Sequence, residues 1–448
     1  MGKTAKQQRR KRRERQRKRG PSKLNGQTTF VVETTAGVLV REVPSTSPLL
    51  SRDIHGDAAE DSISGAADTW GLPDFVYEPV VVEKGDAQRE IGDLFVIVEG
   101  LAAVVQVKGR PKPTNAPERE CSWVTKQVKR AVSQASGTLR TVERTGASLR
   151  SSRGPRLSIT KSDYDWIKVV VVEHSNPPAE FGEIDFDLAS DTVVLLRSDW
   201  EFLFRELRST TGVLQYLQRA HGIGLGQHPA HYYRLAQLDE ATPTSSLGFD
   251  PDDESWRVEP TPQMPLAPAG VDDGQRELLL RAIMEDAALA GIDAAVSEED
   301  RLVTLSSLDQ LPLVHRPEIC HWIPSRMSDM REARRSKPDR IHVASRSFAS
   351  ADPSIPKFVI VACSEKASAW VTNKFSERVL AKHLTFSRMM DVDQADLRTI
   401  GVLISPAVSR SRLWDTTTLV VQGDLGLSAD EEQALLDSHP MQPHDFET

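Results

Sequence analysis

The stretch "EIGDLFVIVEGLAAVVQVKGR", residues 90–110, is apolar enough to be core, yet it carries Glu90 and Asp93 at one end and Gln106 and Lys108 at the other. Glu99-Gly100 is the natural two-residue turn, because glycine tolerates the positive φ that tight hairpins demand. Val98 then faces Leu101, and each residue faces the one whose number brings the pair to 199. This register sets Asp93 opposite Gln106. Lys108, two residues on, shares the face of Gln106 because strand side chains alternate. Opposed Cβ atoms lie about 4.5–5.5 Å apart and diagonal neighbours about 7–8 Å. A slip of one residue scatters the set.

A carboxylate, an amide oxygen and the carbonyl of Val107 are hard oxygen donors, the kind Mg²⁺ takes while keeping waters and a substrate phosphate. Such a metal acidifies a bound water and neutralises charge at phosphorus. Lys108 beside it orients that water or stabilises the developing charge. Glu90 is a further ligand or an outer base. The plain alternative is an Asp that starts a strand and a Lys whose stem snorkels to solvent.

Just downstream, "CSWVTKQVKRAVSQASGTLRTVE" repeats Val124, Val128, Ala131, Val132, Ala135, Leu139 and Val142 at helical steps, with Ser122 as its expected N-cap. Lys126, Lys129, Arg130 and Gln134 fall largely off that stripe. Hairpin and helix together resemble the PD-(D/E)XK nuclease superfamily, in particular its branch like the Mrr restriction endonucleases. Asp93 matches the metal-binding Asp, and Gln106 and Lys108 match the (E/Q)-x-K pair. Glu90 matches an upstream acid that some members carry, and Lys126, Lys129 and Gln134 loosely match a helix facing the site. The resemblance covers about residues 75–220. It implies a restriction-endonuclease-like mixed sheet flanked by helices, and Mg²⁺-dependent phosphodiester hydrolysis with Mn²⁺ as substitute. The implied substrate is DNA rather than RNA, in restriction or anti-phage defence. Gln106 stands where many members have Glu, which weakens metal affinity. A catalytically inactive nuclease fold that binds nucleic acid or acts as a scaffold is therefore the alternative.

The remaining sequence frames this hairpin. At roughly 150 residues per domain, 448 residues make two or three domains. No run approaches the ~18 apolar residues of a membrane helix, and the charged N-terminus has no apolar segment after it, so neither a span nor a secretory signal is expected. Cys121, Cys320 and Cys363 are far apart and form no CxxC pair, in keeping with a reducing cytoplasm. Residues 1–26 hold twelve Lys/Arg and one acid, a charge of +11 against −8 for the whole chain. This arm, with Arg12 and Arg13 at its centre, is expected to be unfolded and to neutralise nucleic-acid phosphates; the plainer reading is a solubilising tail. A homodimer or a partner protein of a defence system is the protein contact in keeping with this reading.

Residues 27–69 contain two strand-like runs, "TTFVVETT" and "GVLVREV", and then a loop rich in Ser, Asp, Ala and Gly. The nuclease-like domain spans 70–239 and includes the doubly buried strand "DWIKVVVVEHS" and the strand "DTVVLLRS". Ser198 and Glu201 suggest a capping box for the helix that follows. The Pro- and acid-rich stretch 240–273 reads as a linker. Residues 274–448 read as a second α/β or α+β domain of unknown role. His221, His228 and His231 lack a completing Cys or acid for zinc. "GIGLG" follows no strand and is no dinucleotide fingerprint. Trp200, Phe202 and Phe204 read as helix core.

Overall fold

The hairpin forms in the expected register: Val98 faces Leu101, and the pairing runs to Leu94 against Val105. Gly100 makes the turn at a φ of 71°. The computed structural model describes residues 28–439 except 35–36, 45, 50–54, 81–82, 85–86, 89–93, 251–254, 262–263, 265–270, 294–295, 312, 338–339 and 408–413.

The chain opens with a ribbon of β1 (Thr28–Thr34) and β2 (Gly37–Val43), which leans on a later helix through Phe30 and Tyr233, 5.4 Å apart. Helix α1 (His55–Trp70) follows, then β3 (Val76–Pro79) and the short pair β4 (Glu83–Lys84) and β5 (Ala87–Gln88). The hairpin is β6 (Leu94–Val98) and β7 (Leu101–Arg110). Helix α2 (Pro117–Thr145) leads to β8 (Ala147–Ser151), β9 (Arg156–Ile159), β10 (Asp165–His174) and β11 (Thr192–Leu196). Helices α3 (Arg197–Leu207), α4 (Thr210–Arg219) and α5 (His228–Ala241) complete this half.

Seven strands form one mixed sheet in the order β11-β10-β7-β6-β3-β8-β9. β10 runs parallel to β7 and β11, while the hairpins are antiparallel. Helix α2 covers one face through Val124, Val128 and Ala131, which pack on Val170, Val172 and Val194. Helices α1, α3 and α4 cover the other face. β7 and β10, buried on both faces, therefore read as nearly unbroken apolar runs.

The second half begins with β12 (Thr244–Asp250) and β13 (Ser255–Thr261), followed by α6 (Val271–Asp293), α7 (Glu298–Asp309) and α8 (Arg316–Ser336). Then come β14 (Val343–Ser350), β15 (Lys357–Cys363), α9 (Ala369–Met390), β16 (Arg398–Pro406), β17 (Trp414–Gln422) and α10 (Ala429–Ser438). The sheet order is β13-β12-β14-β15-β16-β17, with only β15 and β16 parallel among the described pairs. The molecule is thus mixed α/β: a helix-flanked mixed sheet and a second sheet in the C-terminal region.

Several local readings change. Residues 55–70, read above as loop, are helical, and their buried face is mostly alanine: Ala58, Ala59, Ile63, Ala66 and Ala67. The stretch read as a linker carries β12 and β13, where Leu247 faces Val258 and Phe249 faces Trp256. The carboxylate that caps α3 is Asp199 rather than Glu201. It accepts the Leu196 N–H at 2.9 Å and the Gly226 N–H at 2.8 Å, and burial pushes its pKa up to about 7.

One apolar cluster continues from the first sheet through α6, α7 and α8 to Ile400, Val402 and Ile404 of the second. Ions cross the same seam. Arg301 donates to Glu298 at 2.7 and 2.8 Å and to Asp74, and Asp74 also accepts from Arg153 at 2.7 Å. At the hairpin turn, the Glu99 N–H donates to Ser306 at 2.8 Å, and the Glu99 carboxylate holds Arg398 at 2.7 Å.

Nothing lies within 4 Å of where a Cβ on Gly100 would sit, so only backbone conformation separates glycine from alanine there. Gly100→Ala should lower the unfolding free energy by about 1–2 kcal/mol, the cost of a left-handed residue with a β-carbon. Urea denaturation checks this; unchanged stability would mean the turn relaxes to another conformation.

Candidate functional site

On β7 the even-numbered residues share one face, which sets Gln106, Lys108 and Arg110 in a row. Same-face neighbours on a strand are roughly 7 Å apart. Their ladder partners on β10 are Val170, Val172 and His174. Val170 and Val172 belong to the cluster under α2, so that helix lies over the face carrying the row. Gln106 is 2% exposed, and Lys108 is partly buried.

The row ends in an ionic cluster that the sequence did not announce. Glu120, in the first turn of α2, is 1% exposed. Its carboxylate accepts from Arg110 Nε at 2.9 Å and Nη2 at 3.1 Å, and from the Thr114 N–H at 2.8 Å and hydroxyl at 2.7 Å. His174 Nε2 lies 3.0 Å away; its Nδ1 accepts the Asn176 N–H at 3.3 Å, which leaves Nε2 to donate to Glu120. The Arg110 guanidinium stacks over Trp123, 5.0 Å from the ring centre. Arg110's hydrogen bond, with those from Thr114 and His174, holds the Glu120 carboxyl well below the usual range despite burial. The cluster fastens the start of α2 to the ends of β7 and β10.

This corrects the expected helix start. α2 begins at Pro117 with Ala116 as cap, not at Ser122. A proline preorganised for the first helical position was the overlooked signal. With the helix starting there, Glu120 falls in its first turn, where the dipole favours an anion.

Glu90, Asp93, Arg12 and Arg13 lie outside the described residues. Lys126, Lys129, Arg130 and Gln134 are all exposed, on the side of α2 turned away from its buried stripe and hence from Gln106. They form a cationic outer surface rather than a lining of the site. Among the described residues no three His, Cys, Asp or Glu side chains group as metal ligands. Gln106 offers a neutral oxygen, and the main chain of Val107 pairs with Val171 in the ladder. These donors alone do not make a Mg²⁺ site, which wants carboxylate.

A second buried ion set occupies the opposite face. Arg197 donates to Glu173 at 2.5 Å, to the Ser47 carbonyl at 2.9 Å and to Glu201. Its groups satisfy one another, which marks it as structural. His228 is likewise structural. It donates from Nε2 to the Val194 carbonyl at 3.0 Å and accepts Tyr216 O–H at Nδ1, also at 3.0 Å. Burial pushes its pKa down to about 4, so it stays neutral. Trp200, Phe202 and Phe204 are core.

Comparison with family models, curated proteins and solved structures gives no match.

Glu120→Gln should lower the unfolding free energy at pH 7 by about 3 kcal/mol. That is the low end for breaking a buried pair, since Arg110 is 24% exposed and can recover water. The folded-state pKa is depressed, so this stabilisation is full above the unfolded carboxylate value of about 4.3 and fades as pH falls below it. The stability gap between wild type and Glu120→Gln should therefore narrow on acidification from pH 6 to pH 3. A gap constant with pH would remove the charge from the explanation.

Proposed function

We propose that this chain hydrolyses phosphodiester bonds in DNA with a divalent metal, using the face of β7 that carries Gln106 and Lys108. One observation supports the reading above others: the alternation of β7 puts an amide and an ammonium on the same sheet face, beneath α2, on a strand anchored at both ends. That is the disposition the (E/Q)-x-K pair requires. Lys108 matches the lysine of the (E/Q)-x-K pair and is the cation we assign to the phosphate, while Arg110, next in the row, binds Glu120.

In this reading Lys108 stabilises negative charge at phosphorus or holds the attacking water, and the Gln106 amide oxygen, with Asp93, supplies metal contacts. Bound Mg²⁺ or Mn²⁺ would contribute Lewis acidity and a more acidic water. The outer cations of α2 and the basic arm draw the duplex by neutralising phosphates, without reading sequence. Restriction or anti-phage defence is the setting we assign to this activity. No helix among the described residues is long and apolar enough to cross a membrane.

Purified protein incubated with plasmid, linear and single-stranded DNA plus Mg²⁺ or Mn²⁺ should cleave at least one form. Lys108→Ala should slow cleavage by about 100-fold or more, the usual cost of removing a charge-stabilising group, and leave DNA binding largely intact. Asp93→Ala should do the same. Binding without cleavage by wild type would leave the inactive, nucleic-acid-binding fold standing instead. Equal cleavage by all three proteins would indicate a contaminant.

Deleting residues 1–26 should flatten the salt dependence of DNA binding. Each lost phosphate contact removes about 0.9 from the slope of log affinity against log salt. An unchanged slope would reduce the arm to a solubilising tail.

A further inference from the structure

Two parallel strands of the second sheet end side by side, β15 at Cys363 and β16 at Pro406. A cleft of about 230 Å³ opens beyond them. The crevice past the carboxyl ends of parallel strands is where α/β sheets hold ligands. One wall comes from α8, whose Met327, Met330, Arg331 and Arg334 fall at the three- and four-residue steps that share a helix face. The strand ends contribute Cys363, Ser364 and Pro406.

The two guanidiniums of this wall differ in state. Arg334 is oriented by the Ser364 carbonyl at 2.6 Å and the Glu365 carboxylate at 3.2 Å. Arg331 is exposed and has no ion pair among the described residues. Arg335, Lys337 and Arg340 continue the positive surface, with Glu332 the exposed acid among them. Glu365 balances Arg334, so among the described residues the mouth of the cleft carries uncompensated positive charge. Apart from Ser364, the rest of the wall is apolar: Met327 is 8% exposed, Met330 5% and Cys363 1%. Burial pushes the Cys363 thiol up, which keeps it protonated and makes it a surface to pack against rather than a nucleophile.

We propose that this cleft binds a phosphate monoester carried on a flat apolar body, the chemistry of a mononucleotide. The phosphate lies between Arg331 and Arg334, and the body rests on Met327, Met330, Cys363 and Pro406. A carboxylate fits less well, because Glu365 already gives Arg334 one and leaves Arg331 unanswered. A dianion spans both, and the planar fork of each guanidinium suits phosphate oxygens. The volume falls below the usual 300–1,000 Å³ of ligand pockets, so it admits one phosphate-bearing unit rather than a threaded polymer. Soft, unbranched methionines suit an apolar partner of unfixed shape. The inference is independent of the nuclease reading.

Isothermal titration of the full chain with AMP, GMP, adenosine and inorganic phosphate tests it. A tetranucleotide with a 5′-phosphate or a 5′-hydroxyl separates a free nucleotide from a strand end. AMP or the phosphorylated tetranucleotide should bind at least about 10-fold more tightly than its unphosphorylated counterpart. Arg331→Ala should weaken that binding about 10- to 100-fold, and Arg331→Lys less. Arg331 is exposed, so its variants should fold, and a melting curve matching wild type confirms it. Lys161→Ala, which removes a surface cation paired with Glu143 in the first half of the chain, should bind as wild type does. The proposal is overturned if no phosphate monoester binds at millimolar concentration, if adenosine binds as well as AMP, or if Arg331→Ala keeps wild-type affinity.

Discussion

Arg301 is 3% exposed, and its charge is tolerable there only because Asp74 and Glu298 surround it. A buried ion group of this kind adds little net stability, since desolvation cancels much of the attraction, but losing one member strands the others in the core. Its value lies in discrimination. Asp74 and Tyr77 belong to the first sheet and its approach, whereas Glu298 and Arg301 belong to α7. Tyr77 donates its hydroxyl to Glu298 at 3.1 Å. Many dockings would bury the apolar face of α7, but few satisfy four polar partners together. The hydrophobic seam supplies the energy of joining the halves, and the ions select one way of joining them.

The same division of labour governs β7. Its turn is tied to α7 and β16 through Ser306 and Arg398, and its far end is tied to α2 through Arg110 and Glu120. Between these anchors lie Gln106 and Lys108. A strand fixed at both ends and packed on both faces cannot shift register without breaking ion pairs as well as apolar contacts. Under the proposed function, groups held this firmly would not have to be reorganised when a charged ligand arrives, which is the usual source of catalytic and binding efficiency.

Legibility from sequence followed the contrast between neighbouring residues. The hairpin was readable because an apolar run is interrupted once, by a turn-forming dipeptide. α2 was readable because charged residues alternate with valine and alanine at a helical period. α1 was not, because Ala, Ser, Gly and Asp give little hydrophobic contrast and its buried face is nearly all alanine. The β12–β13 pair was hidden by prolines and acids, although Leu247, Phe249, Trp256 and Val258 alternate correctly. Nothing local links Asp74 to Arg301, 227 residues away, or Arg110 to His174. Partners of charged groups are set by the tertiary fold, which is why the ionic skeleton was invisible while the apolar periodicity was not. Composition suggested a break at 240–273, whereas the core runs on across it.

The bond between Glu99 and Arg398 spans 299 positions. Chains emerge from the ribosome at roughly 5–20 residues per second, so Arg398 follows Glu99 by on the order of 15–60 seconds. For roughly the first two-thirds of that interval, until α7 is made, the side of β6 that α7 covers has no cover and the hairpin turn lacks Ser306; Arg398 comes later still. Contacts so distant in sequence also slow folding, because loop closure costs entropy before the contact repays it. The nascent first half therefore waits with an apolar flank open to solvent. The vulnerable period of this chain is its synthesis, up to the point at which α7 has been made.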